Sequence, residues 1–359
     1  MPAKRNYSTD LLRCILMIMI TAHHIIVHSL NMKELGTGGE IAGYFEFPLF
    51  LLNALCIVGV NAFFFISGYY SIKLKAKKLI VLYFEMFFYL SIWYLIMLFS
   101  GEFKLLSAAS LKYILNIIFP FETLWFMGVY FLLCVLSPFI NDYVDSLDKA
   151  SQKKLLVIFG VIAVLYGFIF DWDGVGRGYT FLHGLFMYYI GMLCKKNKDD
   201  LPRRKLLYSG VYAGSALITA GAAYLAYRAS FRGMAWTIYS YNDPLIIIGA
   251  VALCLLFTLW DSENAIAKFS SGISKYVLAA YFITVRTSVV FLPVKKFIEA
   301  GRSQAVIVLS IIIYSTAVFF ICILIDKGRT ALFSFLNKVF HLEDLYESIC
   351  DRCGRSARV

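Results

Sequence analysis

Leu11-Leu-Arg13-Cys-Ile-Leu-Met-Ile-Met-Ile20-Thr-Ala-His23-His24-Ile-Ile-Val-His28-Ser-Leu30 is a nearly uninterrupted apolar run. A helix needs roughly 20 residues to cross the hydrocarbon of a bilayer, and this run supplies them. Arg13 and His24 are eleven positions apart. At 100° per residue they return to within about 20° of one another, on one face and roughly 16 Å apart along the axis. Ionisable groups inside a membrane segment usually face a bundle interior or a watery cavity and mark function. The stretch therefore predicts both a spanning helix and a polar site buried against it.

Composition extends that reading to the whole chain. Of 359 residues, 60% are hydrophobic and only 16% charged, with a mean hydropathy of +0.73; a soluble domain carries about a quarter charged residues. The expected fold is an all-α polytopic transmembrane bundle of about ten spans, at 11–30, 47–70, 79–99, 124–144, 155–171, 179–194, 206–227, 244–260, 276–293 and 305–325. An even count puts both termini on one side. With a cytoplasmic N-terminus, 23 of the 34 Lys and Arg fall on the inner side and nine on the outer, Arg13 and Arg286 lying within spans. Basic residues are retained in the cytoplasm, so both termini are expected there. The net charge of +11 thus reflects topology and attraction to anionic membrane lipids, and nucleic acid is not an expected partner. No small-residue cleavage site follows the first span, which reads as a retained helix rather than a signal peptide.

Residues 1–329 form the expected membrane domain. The segment 330–359 reads as a cytoplasmic amphipathic tail, with Leu332, Phe335, Leu336, Val339, Phe340, Leu342 and Leu345 on one stripe, suited to the headgroup region. Six of the eight cysteines sit inside expected spans as small hydrophobes, and the lone Cys350/Cys353 pair lacks the second pair of a metal site, so no metal is expected.

Individual polar residues inside the spans carry the chemistry. His24 and His28 share the Arg13 face, whereas His23 points about 100° away and reads as a buried bonder between helices. An imidazole titrates near neutrality, so His24 suits either a proton acceptor or a covalent acyl carrier. Arg13 needs anionic or carbonyl partners. Asp10, three residues earlier, is one; a cationic vestibule shared with Lys73, Lys75, Lys77 and Lys78, fit for the phosphates of a coenzyme A thioester, is the alternative. At the end of the second span, Ser67 and Gly68 let backbones approach closely, and Asn61 suits a bond across helices or a cavity wall. Glu85 and Arg286 read as an interhelical ion pair, or as a functional pair in which Arg286 holds a carbonyl or phosphate.

Several landmarks then recur in a familiar order. Asp10-Leu-Leu-Arg13 with His24, Phe63-Phe-Phe-Ile-Ser-Gly-Tyr69, and Lys75-Ala-Lys-Lys78 are followed by Trp125-Phe-Met-Gly-Val-Tyr130 and Leu136-Ser-Pro-Phe-Ile-Asn141. Tyr188-Tyr-Ile-Gly-Met192, Asn242-Asp-Pro-Leu245 and Tyr276 to Thr284 complete the series. Over about 330 residues the chain resembles the acyltransferase 3 family of bacterial membrane proteins. The resemblance implies a multi-pass enzyme of the bacterial plasma membrane that takes an acyl group, commonly acetyl from cytoplasmic acetyl-coenzyme A, to a sugar hydroxyl of an extracytoplasmic polysaccharide or its lipid-linked precursor. Acyl-coenzyme A enters as donor substrate, with no cofactor permanently bound. The family's first-helix Arg and His map onto Arg13 and His24, the expected catalytic pair. Donor binding falls to Arg13, Lys75, Lys77, Lys78, Ser67 and Tyr69, and acceptor binding to Asn61, Trp125, Tyr130 and Arg286. Two departures stand out: Lys75 and Lys78 replace the usual Arg pair, losing the bidentate fork, and Thr284 stands where relatives often carry a histidine. The rival expectation is a transporter or flippase for a lipid-linked sugar, with Arg13, Glu85 and Arg286 as a charged path.

Overall fold

A computed structural model describes residues 6–121, 123–171 and 176–340, and every regular element among them is helical. The first span opens at α1 (Tyr7–His24), capped by the Asn6 side chain, which accepts from the Thr9 backbone N–H at 2.8 Å. It continues as a π-helical turn over Ile25–Ser29. The second span is α2 (Phe47–Ile57) and α3 (Gly59–Tyr69) in tandem. It is 83% buried within the protein, against 61% for the first span and 17–39% for the other long helices. These two spans are therefore the centre of the bundle, and the outer ring meets lipid.

Around them run α4 (Ala76–Phe99), α5 (Ala108–Ile118), α6 (Trp125–Ser146), α7 (Lys149–Val161), α8 (Phe181–Lys196), α9 (Lys205–Arg228), α10 (Arg232–Thr237) and α11 (Pro244–Thr258). Then come α12 (Ala265–Ile273), α13 (Val277–Ile283), α14 (Thr287–Val290), α15 (Leu292–Glu299) and α16 (Gln304–Phe340). Among the described residues, seven helices are long and apolar enough to cross a membrane by length and composition, where ten spans were expected. The expected sixth and eighth spans, α8 and α11, have 16 and 15 residues. At 1.5 Å per residue each reaches only about 24 Å of a roughly 30 Å core. Both pack inside the bundle, α8 on α3 and α11 on α3 and α9. The expected ninth span is broken into α13, α14 and α15, with Thr284 donating its hydroxyl to the Ala280 carbonyl at the break. Non-helical backbone at membrane depth is tolerated where protein or a cavity encloses it. α16 runs unbroken past residue 329 to Phe340; Cys350, Cys353 and the remaining tail lie outside the described residues.

Helices α3 and α8 touch backbone to backbone. A Cβ at Gly68 would run into the Tyr188 carbonyl oxygen, and one at Gly191 into that of Phe65. Two of the sequence landmarks are thus the two halves of one contact. A third joins them at the same end: the Tyr188 hydroxyl donates to Asn141 Oδ1 at 2.7 Å and accepts from the Ile72 N–H at 3.0 Å, while Asn141 Nδ2 donates to the Ile72 carbonyl at 2.9 Å. Gly68→Ala and Gly191→Ala are expected to lower the thermal stability of the detergent-solubilised protein sharply. Gly210→Ala, where the added Cβ meets open space, should leave it unchanged or raise it by up to about 1 kcal/mol; equal melting temperatures in all three would remove the contact from this central place.

Candidate active site

His24 lines a small chamber of about 30 Å³ with Phe63, Trp125, Phe126, Tyr241 and Tyr281 among its walls. Such a space admits a water or two. Beside it lies a vestibule of about 550 Å³, whose polar walls are Arg13, Ser67, Lys78, Glu85, Tyr130 and Lys275. Phe63, Phe126 and Leu278 line both spaces and so form the partition between them. A third cavity of about 220 Å³ carries Lys73, Lys75 and Lys78 and shares Lys78, Leu82 and Tyr130 with the vestibule. The Arg13 end and the basic stretch thus open onto adjoining space, with His24 behind an aromatic partition.

Both readings of Arg13 hold together. Its guanidinium donates to Asp10 Oδ1 at 2.8 Å, and its side chain keeps about a third of its exposure while Asp10 is buried. Its Cζ also lies 5.9 Å from the centre of the Tyr70 ring. The Tyr70 hydroxyl is 2.7 Å from that of Thr9, so Arg13 rests on a ring held at its far end. Asp10 offsets part of the cost of holding the cation, and the rest of the guanidinium faces the vestibule.

His24 is half-buried, and its Nδ1 has no hydrogen-bond partner. The His28 ring stands edge-to-face to it with centroids 5.4 Å apart. His23 is buried with Nδ1 2.7 Å from Asn53 Oδ1 on α2, the bond between helices expected of it. At the other side of the chamber, His183 Nε2 lies 2.8 Å from Asn61 Oδ1, and Asn61 Nδ2 donates to the Tyr241 carbonyl at 2.7 Å. Because Asn61 Oδ1 only accepts, His183 Nε2 carries the proton.

Several expected placements change. Asn61 is fully buried and lines neither chamber nor vestibule; it fixes Tyr241, which does line the chamber. Tyr69 is buried against Phe65, with Lys195 Nζ 5.0 Å from its ring centre, and lines none of the three cavities. Lys77 is exposed and outside the cavity walls, because its neighbours Lys75 and Lys78 take the inward face of the α4 start. Tyr130 lies on the vestibule side of the partition, with the donor group of residues rather than the acceptor group. Ser67 lines the vestibule and donates its hydroxyl to the Phe63 carbonyl, and Trp125 lines the chamber, its ring tilted against those of Tyr179 and Tyr241.

The Glu85–Arg286 pair does not form. Arg286 stands just before α14 and pairs with Glu102 at 2.8 Å, also touching Met97 Sδ, all at the far end of α4. Glu85 instead meets Arg329 at 3.3 Å, and Arg329 also pairs with Asp326, which accepts from the Tyr89 hydroxyl at 2.7 Å. Along α4, Glu85 and the Met97 that Arg286 touches are roughly three turns, or about 18 Å, apart, and each charge took the partner at its own level. Tyr241, Tyr281, Phe63 and Phe126 line the chamber and are not among the expected site residues. Their one visible signal was position within or next to the landmarks.

The bundle is an integral membrane protein with an internal, cation-lined site around one imidazole. The profile of the acyltransferase 3 family, described as an acyltransferase domain, matches residues 6–327. The chain belongs to that family and is a membrane acyltransferase. No curated protein and no solved structure matches it.

Arg329 and Glu85 are both about seven-eighths buried, and breaking such a pair strands a charge at a cost of about 3–5 kcal/mol. The exposed Arg286–Glu102 pair is worth at most about 1 kcal/mol. Arg329→Ala should therefore lower the melting temperature far more than Arg286→Ala; a larger loss with Arg286→Ala would contradict this assignment.

Proposed function

We propose that the protein transfers an acyl group, acetyl in the simplest case, from cytoplasmic acyl-coenzyme A to a sugar hydroxyl of an extracytoplasmic polysaccharide or its lipid-linked precursor, in the bacterial plasma membrane. The observation that carries this reading is the position of His24 between two chemically different approaches. On one side lie Arg13, Lys73, Lys75, Lys78 and Lys275, cations suited to the phosphates of coenzyme A. On the other, the rings of Trp125, Tyr179 and Tyr241 gather with centroids 4.8 to 5.8 Å apart, and sugar rings stack on such faces.

The chemistry asked of the protein is modest. A thioester is reactive once it is positioned and kept from bulk water, and holding the partners in place supplies much of the rate. In this reading Arg13 and the lysines seat the donor phosphates, and the thioester end points through the Phe63–Phe126–Leu278 partition towards His24. The imidazole's free ring nitrogen attacks the carbonyl carbon, the C–S bond breaks, and the thiolate leaves into the vestibule to take a proton from cytoplasmic water. An acceptor hydroxyl then displaces the acyl group from His24 on the Trp125–Tyr241 side. The chamber's volume favours this relay, since a space for a water or two passes an acetyl group but does not seat a sugar and a thioester together. The transporter alternative loses its path: Arg13 and Glu85 face the vestibule, but Arg286 is engaged with Glu102 away from it.

The decisive measurement uses purified protein with radiolabelled acetyl-coenzyme A, following free thiol and transferred label. His24→Ala is expected to lower both by at least about 100-fold, the scale of a lost nucleophile or base. Undiminished thiol release in that variant would defeat the assignment. Lys75→Ala together with Lys78→Ala should raise KM for acetyl-coenzyme A several-fold with a much smaller change in kcat, and added salt should narrow the gap between variant and parent. A pure kcat effect would place these lysines outside donor binding.

A further inference from the structure

The first span changes its winding immediately after His24: Tyr7–His24 is α-helical, and Ile25–Ser29 is π-helical. Single π-turns inside α-helices are rare and concentrate at functional sites. Here the turn carries His28, whose ring stands edge-to-face to His24 at 5.4 Å between centroids. His24 is half-buried, while His28 is exposed, one turn further from Arg13 and the vestibule. The two imidazoles are thus neighbours, with His28 the more exposed and on the side away from Arg13.

The other described histidines are committed elsewhere. His23 is bonded to Asn53 and His183 to Asn61, both buried. His24 and His28 are the two imidazoles without a hydrogen bond to another side chain among the described residues.

A need for a second base follows from the relay through His24. While its nitrogen is bonded to the acyl carbon, that nitrogen cannot also accept the proton of the attacking hydroxyl. We propose that His28 is the catalytic base of the second half-reaction, a role that rests on the acyltransferase reading above. The acceptor oxygen forms its bond to the acyl carbon, the carbon–nitrogen bond to His24 breaks, and the hydroxyl proton passes to a ring nitrogen of His28. His24 is left neutral, as it began. His28, being exposed, gives the proton to water on the acceptor side, and no oxidant, reductant or further reactant is required.

The test is a rapid-quench experiment on the full-length protein in lipid nanodiscs with radiolabelled acetyl-coenzyme A, water serving as the acceptor. The parent is expected to release one equivalent of thiol in a burst and to hold hydroxylamine-labile label that hydrolyses. His28→Ala should give the same burst, with label persisting at least tenfold longer; His24→Ala should give neither. A merely structural role for His28 would lower burst amplitude and deacylation together, and that outcome overturns the proposal. So does a variant that deacylates at the parental rate, which leaves the relay through His24 intact. Steady thiol release by the parent with no bound label would overturn the relay and His28's role with it, whereas no thiol release at all would count against the acyltransferase reading itself. If His28→Ala fails to fold, His28→Gln, which keeps a polar side chain that takes up no proton, is read by the same criteria.

Discussion

The contact on which the rest depends is the meeting of α3 and α8 without side chains between them. In lipid no hydrophobic force drives helices together, so association rests on close packing and bonds between helices. Gly68 and Gly191 remove the two Cβ atoms that would hold the backbones apart. Polar bonds then pin the pair at both ends: Tyr188 to Asn141 and Ile72 at one, His183 to Asn61 at the other. The first set anchors the chain just before Lys73, which brings the basic stretch beside the vestibule. The second anchors Tyr241 and with it one wall of the His24 chamber. A helix pair that lines little of the site itself therefore sets the geometry of both its approaches.

Charge is handled by the same economy. Each deep cation has an acid at its own level: Asp10 beneath Arg13, and Glu85 with Asp326 around Arg329. An unpaired charge at these positions would carry a penalty of several kcal/mol. Pairing leaves Arg13 about a third exposed and on the vestibule wall, so a structural ion pair and a cavity-facing cation are one residue. Glu85 likewise faces the vestibule while bonded behind to α16, placing one carboxylate in an otherwise cationic wall.

Much of this was legible in the chain. The spacing of Arg13 and His24, the fixed position of Asp10 on the same helix, the close approach at Gly68 and the orientation of His23 away from His24 all follow from helical periodicity, which is local. Asn61 and Tyr69 were misplaced for one reason: a polar or aromatic residue next to a landmark can line a cavity or hold the residue that does, and the two have the same sequence. Glu85 and Arg286 were paired because both are charges in spans, but pairing depends on depth along different helices, and depth is decided by breaks such as that at Thr284. The lengths of α8 and α11 were not legible, because hydropathy records what a helix is made of and not where it ends.

The sequence by itself determined that this is a helical membrane protein of the acyltransferase 3 family with Arg13 and His24 on one face, because composition, period and motif order are properties of neighbouring residues. Only the tertiary structure decided that a partition of Phe63, Phe126 and Leu278 separates the two, that Tyr241 and Tyr281 close the chamber, and that Arg329 rather than Arg286 answers Glu85. Those facts join residues up to about 260 positions apart, and no local pattern measures such distances. The opening run of sequence thus holds the imidazole of the chamber, and the packing of the bundle supplies its surroundings, including the turn that sets His28 beside it.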